Sequence, residues 1–83
     1  MVRLRKVATR PGRPASLEDG YTLEGQQVEE PVPGIPYAIR PGARDKGAVD
    51  IFVTTSVRAV IREAGQPVVL LTDNSEYRIE EIR

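Results

Sequence analysis

The stretch TDNSEYRIEEIR, residues 72–83, sets Asp73, Asn74, Ser75, Glu76 and Tyr77 in unbroken succession. These are residue types that carry protons, hold cations or attack carbonyls. Asp73 and Glu76 are its nearest pair of carboxylates for general acid and base work. With Asn74 they fall short of a calcium loop, which needs alternating oxygen ligands, a central Gly and a terminal bidentate Glu. Ser75, like Ser16 and Ser56, needs a base to become a nucleophile. The chain has no His and no Cys, and Lys6 and Lys46 are not beside any serine in the sequence. A turn Asp and a solvent-facing strand Glu account for the carboxylates, so the expectation is no catalytic residue, no cofactor and no metal site.

Binding chemistry has more support. Glu18, Asp19, Glu24, Glu29 and Glu30 form a block with no base among them, and PVPGIP follows directly. Pro31, Pro33 and Pro36 cannot donate backbone hydrogen bonds, so this segment is an edge or an extended loop. Glu24, Glu29, Glu30, Pro31 and Pro33 are therefore the candidate contacts for a protein partner. A second candidate is basic. Arg3, Arg5, Arg58 and Arg62 would share one sheet face if the first strand neighboured the Val57 strand, giving a stripe for nucleic acid. Only four aromatics accompany them, and Tyr37 and Tyr77 fall in phase with apolar residues, as core side chains do. TRPGRP approximates a minor-groove hook at Gly12, Arg13 and Pro14, but Pro11 takes the place of the first core arginine, and a plain turn explains it. PGRP and PGIP have PxxP spacing, which arises often by chance in so short a pattern.

The elements that must position these residues are mostly strands. Val2 and Leu4 alternate with Arg3 and Arg5, and the phase breaks at Lys6 and Val7, where a bulge or a strand end is expected. RPGR and RPGAR each place Pro and Gly as a type II turn wants them. Residues 11–36 read as one long Pro- and Gly-rich acidic loop, with a helical turn capped by Ser16 and a short strand around Tyr21 and Leu23 inside it. Ile35, Tyr37 and Ile39 share one face of a strand, and Val49, Ile51 and Val53 share one face of the next. TTSVRAVIREAGQP fits a helix ended by Gly65, or a strand with Val57, Ala59 and Ile61 inward. The strand is preferred, because a two-turn helix is marginal and VVLLTDNSEYRIEEI supplies its hairpin partner. Asp73 and Asn74 then form the tight reversal by accepting left-handed φ, and Ser75 satisfies one further backbone group.

Thr55, Ser56, Val57 and Val60 followed by Val68, Thr72, Asn74, Ser75, Tyr77 and Ile79 resemble the C-terminal half of small uncharacterised bacterial, prophage and plasmid-borne proteins. The resemblance implies a β-meander in a small domain of mobile-element type. It brings no activity and no ligand residues with it.

Eighty-three residues suit one small domain, 1–83, whose modest core leaves nothing for a second. Twelve bases balance twelve acids, so no net field draws the chain to nucleic acid or lipid. Without cysteine, and with a basic start followed by Pro and Gly instead of an apolar run, the chain reads as cytoplasmic, with no membrane association. The expected fold is all-β: a small, partly open, SH3-like barrel or a twisted antiparallel sheet of five or six short strands with a long Pro-rich loop. The expected function is a non-enzymatic protein-binding or regulatory module that can self-associate through a strand edge. The alternative is a nucleic-acid-binding barrel using the arginine face.

Overall fold

The computed structural model describes residues 1–14, 17–42 and 51–82. Six strands follow one another: β1 (Val2–Thr9), β2 (Thr22–Gln27), β3 (Pro36–Pro41), β4 (Phe52–Ile61), β5 (Val68–Thr72) and β6 (Ser75–Glu81). Each pairs antiparallel with its neighbour in sequence, and β6 returns to β1, so the barrel is fully closed. Among the described residues there is no helix, and none long and apolar enough to cross a membrane.

Closure follows from alternation. Val2, Leu4 and Lys6 of β1 all point inward and are buried, while Arg3 and Arg5 point outward. Ranks of inward residues run from strand to strand: Leu23, Leu4, Ile79 and Val68 form one, and Lys6, Tyr77, Leu70 and Val60 the next. With Val57, Tyr37 and Ile39 they make up most of the core. A six-stranded barrel has room for little else. Each fully buried aliphatic contributes on the order of 1.5 to 3 kcal/mol.

Several expectations hold. Arg13 N donates to Arg10 O (3.1 Å) across RPGR, with Gly12 at φ 76°, as a type II turn requires. The phase break in β1 is a bulge between Lys6 and Ala8. Val57 to Ile61 is strand. Others need correction. The short strand expected around Tyr21 and Leu23 inside the acidic segment is present as β2, but it runs on to Gln27 and so divides 11–36 into two loops. Ile35 is exposed, unlike Tyr37 and Ile39. In β4 the alternation is broken twice, so Phe52, Thr54, Val57 and Val60 face in, whereas Ile51, Val53 and Ile61, expected inward, are exposed. The reason lies in the pairing. β4 leaves β3 at Ser56 and takes up β5 at Val57, with irregular register on both sides of that exchange. The Thr54 hydroxyl fills the first irregularity, accepting from Tyr37 N (3.0 Å) and donating to Thr55 O (2.7 Å).

The Asp73–Asn74 reversal is present, but by another device. No described residue other than glycine has positive φ. The turn is closed by Thr72, whose hydroxyl accepts from Ser75 N and donates to Ser75 O, both at 3.1 Å. Ser16, the second half of RPGAR, Val49 and Asp50 lie outside the described residues.

Gly25 carries the tightest constraint. A Cβ there would stand 2.1 Å from Arg40 O and 2.8 Å from Ile39 Cγ2, so β2 and β3 can approach only over a glycine. Gly25→Ala is therefore expected to lower the thermal midpoint by about 10 °C or more, since forcing two backbones apart lies at the upper end of overpacking costs, about 2 to 3 kcal/mol. Gly12→Ala, with open space around it, should cost only its φ strain, about 1 kcal/mol. Circular-dichroism melts of the two variants check the ranking.

Candidate functional site

In a closed barrel of alternating strands, β1, β3 and β5 finish, and β2, β4 and β6 start, at one end, and the β2–β3 and β4–β5 connections lie at the other. The two ends differ in chemistry.

At the first end the β1–β2 loop folds over the mouth. Arg10 N donates to Asn74 O (2.8 Å), Arg10 Nη1 to Thr72 O (2.9 Å) and Arg13 Nε to Asn74 Oδ1 (2.9 Å). Arg58 reaches the same hairpin tip from β4 and pairs with Asp73. TRPGRP is thus a turn whose arginines clamp the β5–β6 reversal. Under it lies Lys6, 1% exposed. Its Nζ donates to Thr9 Oγ1 (2.6 Å) and to the Leu17 carbonyl, and sits 3.4 Å from Asp19 Oδ1. A buried ammonium is tolerated only when so satisfied, and here it ties the loop to the barrel. The rim between loop and hairpin encloses a cavity of about 340 Å3, lined by Leu17, Tyr21, Ile51, Phe52, Val53, Thr54, Thr55, Asn74, Ser75 and Tyr77. Tyr21 and Phe52 stack tilted at 6.3 Å, and Phe52 meets Tyr77 edge-on at 6.3 Å. Three of the four aromatics therefore form one wall. They are far apart in sequence, and only the barrel brings them together.

At the second end stands the β2–β3 loop. Glu29 and Glu30 are exposed, as is Pro33, but Pro31 is buried and is a structural anchor. The loop is held by Val28 N to Ala38 O (3.0 Å), Gly34 N to Val57 O (2.7 Å) and Val57 N to Ile35 O (3.1 Å). Glu30 accepts from Gln27 Nε2 (3.2 Å) and lies 3.6 Å from Arg62 Nη2. Gln27 Oε1 accepts from the Tyr37 hydroxyl (2.8 Å). Val28, Val32 and Ile35 are exposed at 47%, 43% and 44%. Glu24, expected to belong to this site, is on β2 and bonded to Arg3 Nε (2.9 Å) instead.

The arginine face is not assembled. β1 lies between β2 and β6, not beside β4. Arg3 bridges Glu24 and Glu80 (3.3 Å) on its two neighbouring strands, and the bond to Glu24 raises its pKa further. Arg58, within β4, is paired with Asp73, and Arg62, just past its end, with Glu30. Arg5 instead faces Arg78 across the β1–β6 ladder. Of the candidate pair Asp73 and Glu76, Asp73 sits in the turn and is committed to Arg58, and Glu76 is on β6. Among the described residues no cluster of three His, Cys, Asp or Glu side chains is placed to hold a metal.

Comparison with family models, with curated proteins and with solved structures finds no match at the thresholds applied.

Two outcomes follow from this geometry. Lys6→Met removes the donor to the Leu17 carbonyl and leaves it unsatisfied. A loss of about 1 to 3 kcal/mol is expected, with faster amide exchange at Gly20 and Tyr21 than at β3. Burial pushes the phenols of Tyr37 and Tyr77 above their ordinary value, and the charges of Glu30 and Glu81 push Tyr37 up further. A raised pKa in the folded state favours folding in full below the unfolded value, about pH 10, and that contribution is lost as pH rises towards the folded value. Tyrosinate absorbance for these two residues should therefore lag during alkaline titration and then appear together with unfolding. Early, independent ionisation of both would contradict the burial.

Proposed function

We propose that this protein is a non-enzymatic protein-recognition module whose β2–β3 loop engages a partner segment carrying both basic and apolar residues. The observation that carries this reading is the exposure of Val28, Val32 and Ile35 around Glu29 and Glu30 on a loop pinned to the barrel. Loops normally present polar residues, so three aliphatics held outward on an ordered loop mark a contact surface. A pinned loop also loses little conformational entropy on binding. The two carboxylates add charge complementarity and so select basic partners. The absence of His and Cys from the sequence, and the commitment of Asp73 to an ion pair, support a role in binding over one in catalysis.

The double variant Glu29→Lys/Glu30→Lys tests this. It breaks only the exposed Arg62 pair and the Gln27 bond, so stability should change by less than about 1 kcal/mol. Affinity capture from a lysate should lose a discrete partner that the unaltered chain retains, and raised salt should weaken that capture. Unchanged recovery would remove the loop from recognition.

A further inference from the structure

The cavity at the first end has an unusual boundary. Ile51, Phe52, Val53, Thr54 and Thr55 are consecutive, and all five line it. Successive strand side chains point to opposite faces, so one cavity can touch five in a row only along the strand's edge. The lengths explain why that edge is bare. β4 has ten residues and β5 has five, and β5 pairs with β4 only from Val57 onward. Across Phe52 to Ser56, β4 is paired on its β3 side. On the other side, beyond the bond from Asp73 N to Ser56 O (3.1 Å), the hairpin has already turned back. Among the described residues nothing pairs with Phe52–Thr55 there. This is a strand edge beside an aromatic pocket, with Ile51 and Val53 exposed at 41% and 53%.

We propose that this edge is a peptide-binding site: an extended segment of a partner protein adds to β4 at Phe52–Thr55 and seats a large apolar side chain against Tyr21, Phe52 and Tyr77. The proposal rests on the reading of the protein as a protein-recognition module and adds the mode of recognition. Among the described residues no charged side chain lines the cavity, so none of them offers a counter-charge to a nucleic-acid backbone or a lipid headgroup. The cavity's polar side chains are all neutral, and the Thr55 hydroxyl and the Asn74 amide NH2 can meet the amides of an extended chain. Strand addition supplies the affinity through main-chain hydrogen bonds, and the pocket reads alternate side chains.

The test is selection from a phage-displayed random peptide library against the full chain, followed by titration of a synthetic selected peptide. Selected sequences should carry a large apolar residue with β-branched residues at alternate positions. Binding should weaken at least about tenfold, about 1.4 kcal/mol, in Val53→Lys and in Thr55→Lys, and on N-methylation of alternate peptide amides. Both substituted side chains are exposed, and thermal melts confirm that each variant folds. Amide exchange at Phe52–Thr55 should slow on binding. Peptides that respond to Glu29→Lys/Glu30→Lys but not to the β4 variants would overturn the edge site and leave the loop reading standing; the reverse pattern would do the opposite. Failure to select any binding peptide, contacts confined to side chains without amide protection, or self-association abolished by Val53→Lys would each overturn it, the last by assigning the edge to a second copy.

Discussion

The barrel depends on one strand serving two partners in turn. β4 spends its first half against β3 and its second against β5, and the exchange is made at Val57, which is wholly buried. There its backbone bonds to Gly34 and Ile35 on one side while it pairs with Thr72 on the other. Closing a small sheet into a ring requires tilted, staggered strands, and here β4 meets its two neighbours in turn through this exchange. The cost is two breaks in alternation, and each has its own remedy: the Thr54 hydroxyl at the first, a bulge after Val57 at the second. The same exchange pins the β2–β3 loop on one side and, among the described residues, leaves the first half of β4 without a partner on the other. Both surfaces proposed for recognition therefore come from the way the ring is closed.

Charge on the outer surface follows the strand order. Arg3, Arg58 and Arg62 each meet a carboxylate from a neighbouring strand or loop, which suits a molecule of zero formal net charge better than a single basic stripe does. Exposed pairs of this kind add little stability. What they do set is the sign of the surface a partner meets. Their pairing leaves Glu29, with no ion pair among the described residues, as the freer carboxylate of its loop.

How far the sequence alone could be read depended on how local each signal was. RPGR and the Asp73–Asn74 reversal were legible because turn chemistry sits within four residues. β1 was legible up to Lys6, and its bulge was marked by the phase break. β4 was legible as strand but not in phase, because alternation predicts the inward face only while a strand keeps one partner. Lys6 was missed for a related reason. Its spacing from Val2 and Leu4 put it inward, but an ammonium is expected to face water, and only the Leu17 carbonyl and Thr9 make its burial tolerable. The arginine face failed because strand adjacency is a long-range property, and β1 chose β2 and β6. The aromatic wall could not be read at all, since Tyr21, Phe52 and Tyr77 meet only through the closed ring.

The pairing of β1 with β6 has a kinetic side. Arg3 and Glu80 are bonded across a sequence separation of 77, so the ladder that shuts the ring is the one with the largest loop to close. Every other ladder joins strands that follow one another in the chain. On a ribosome, β1 would therefore leave the exit tunnel first and wait for its second neighbour until β6 had been made. Until then the meander from β1 to β5 has one flank open at each side, and its inward residues Leu4, Leu23 and Leu70 are partly wetted. Shutting the ring last favours slow folding for the chain's length, and it makes β6 the step that converts an open ribbon into a closed shell.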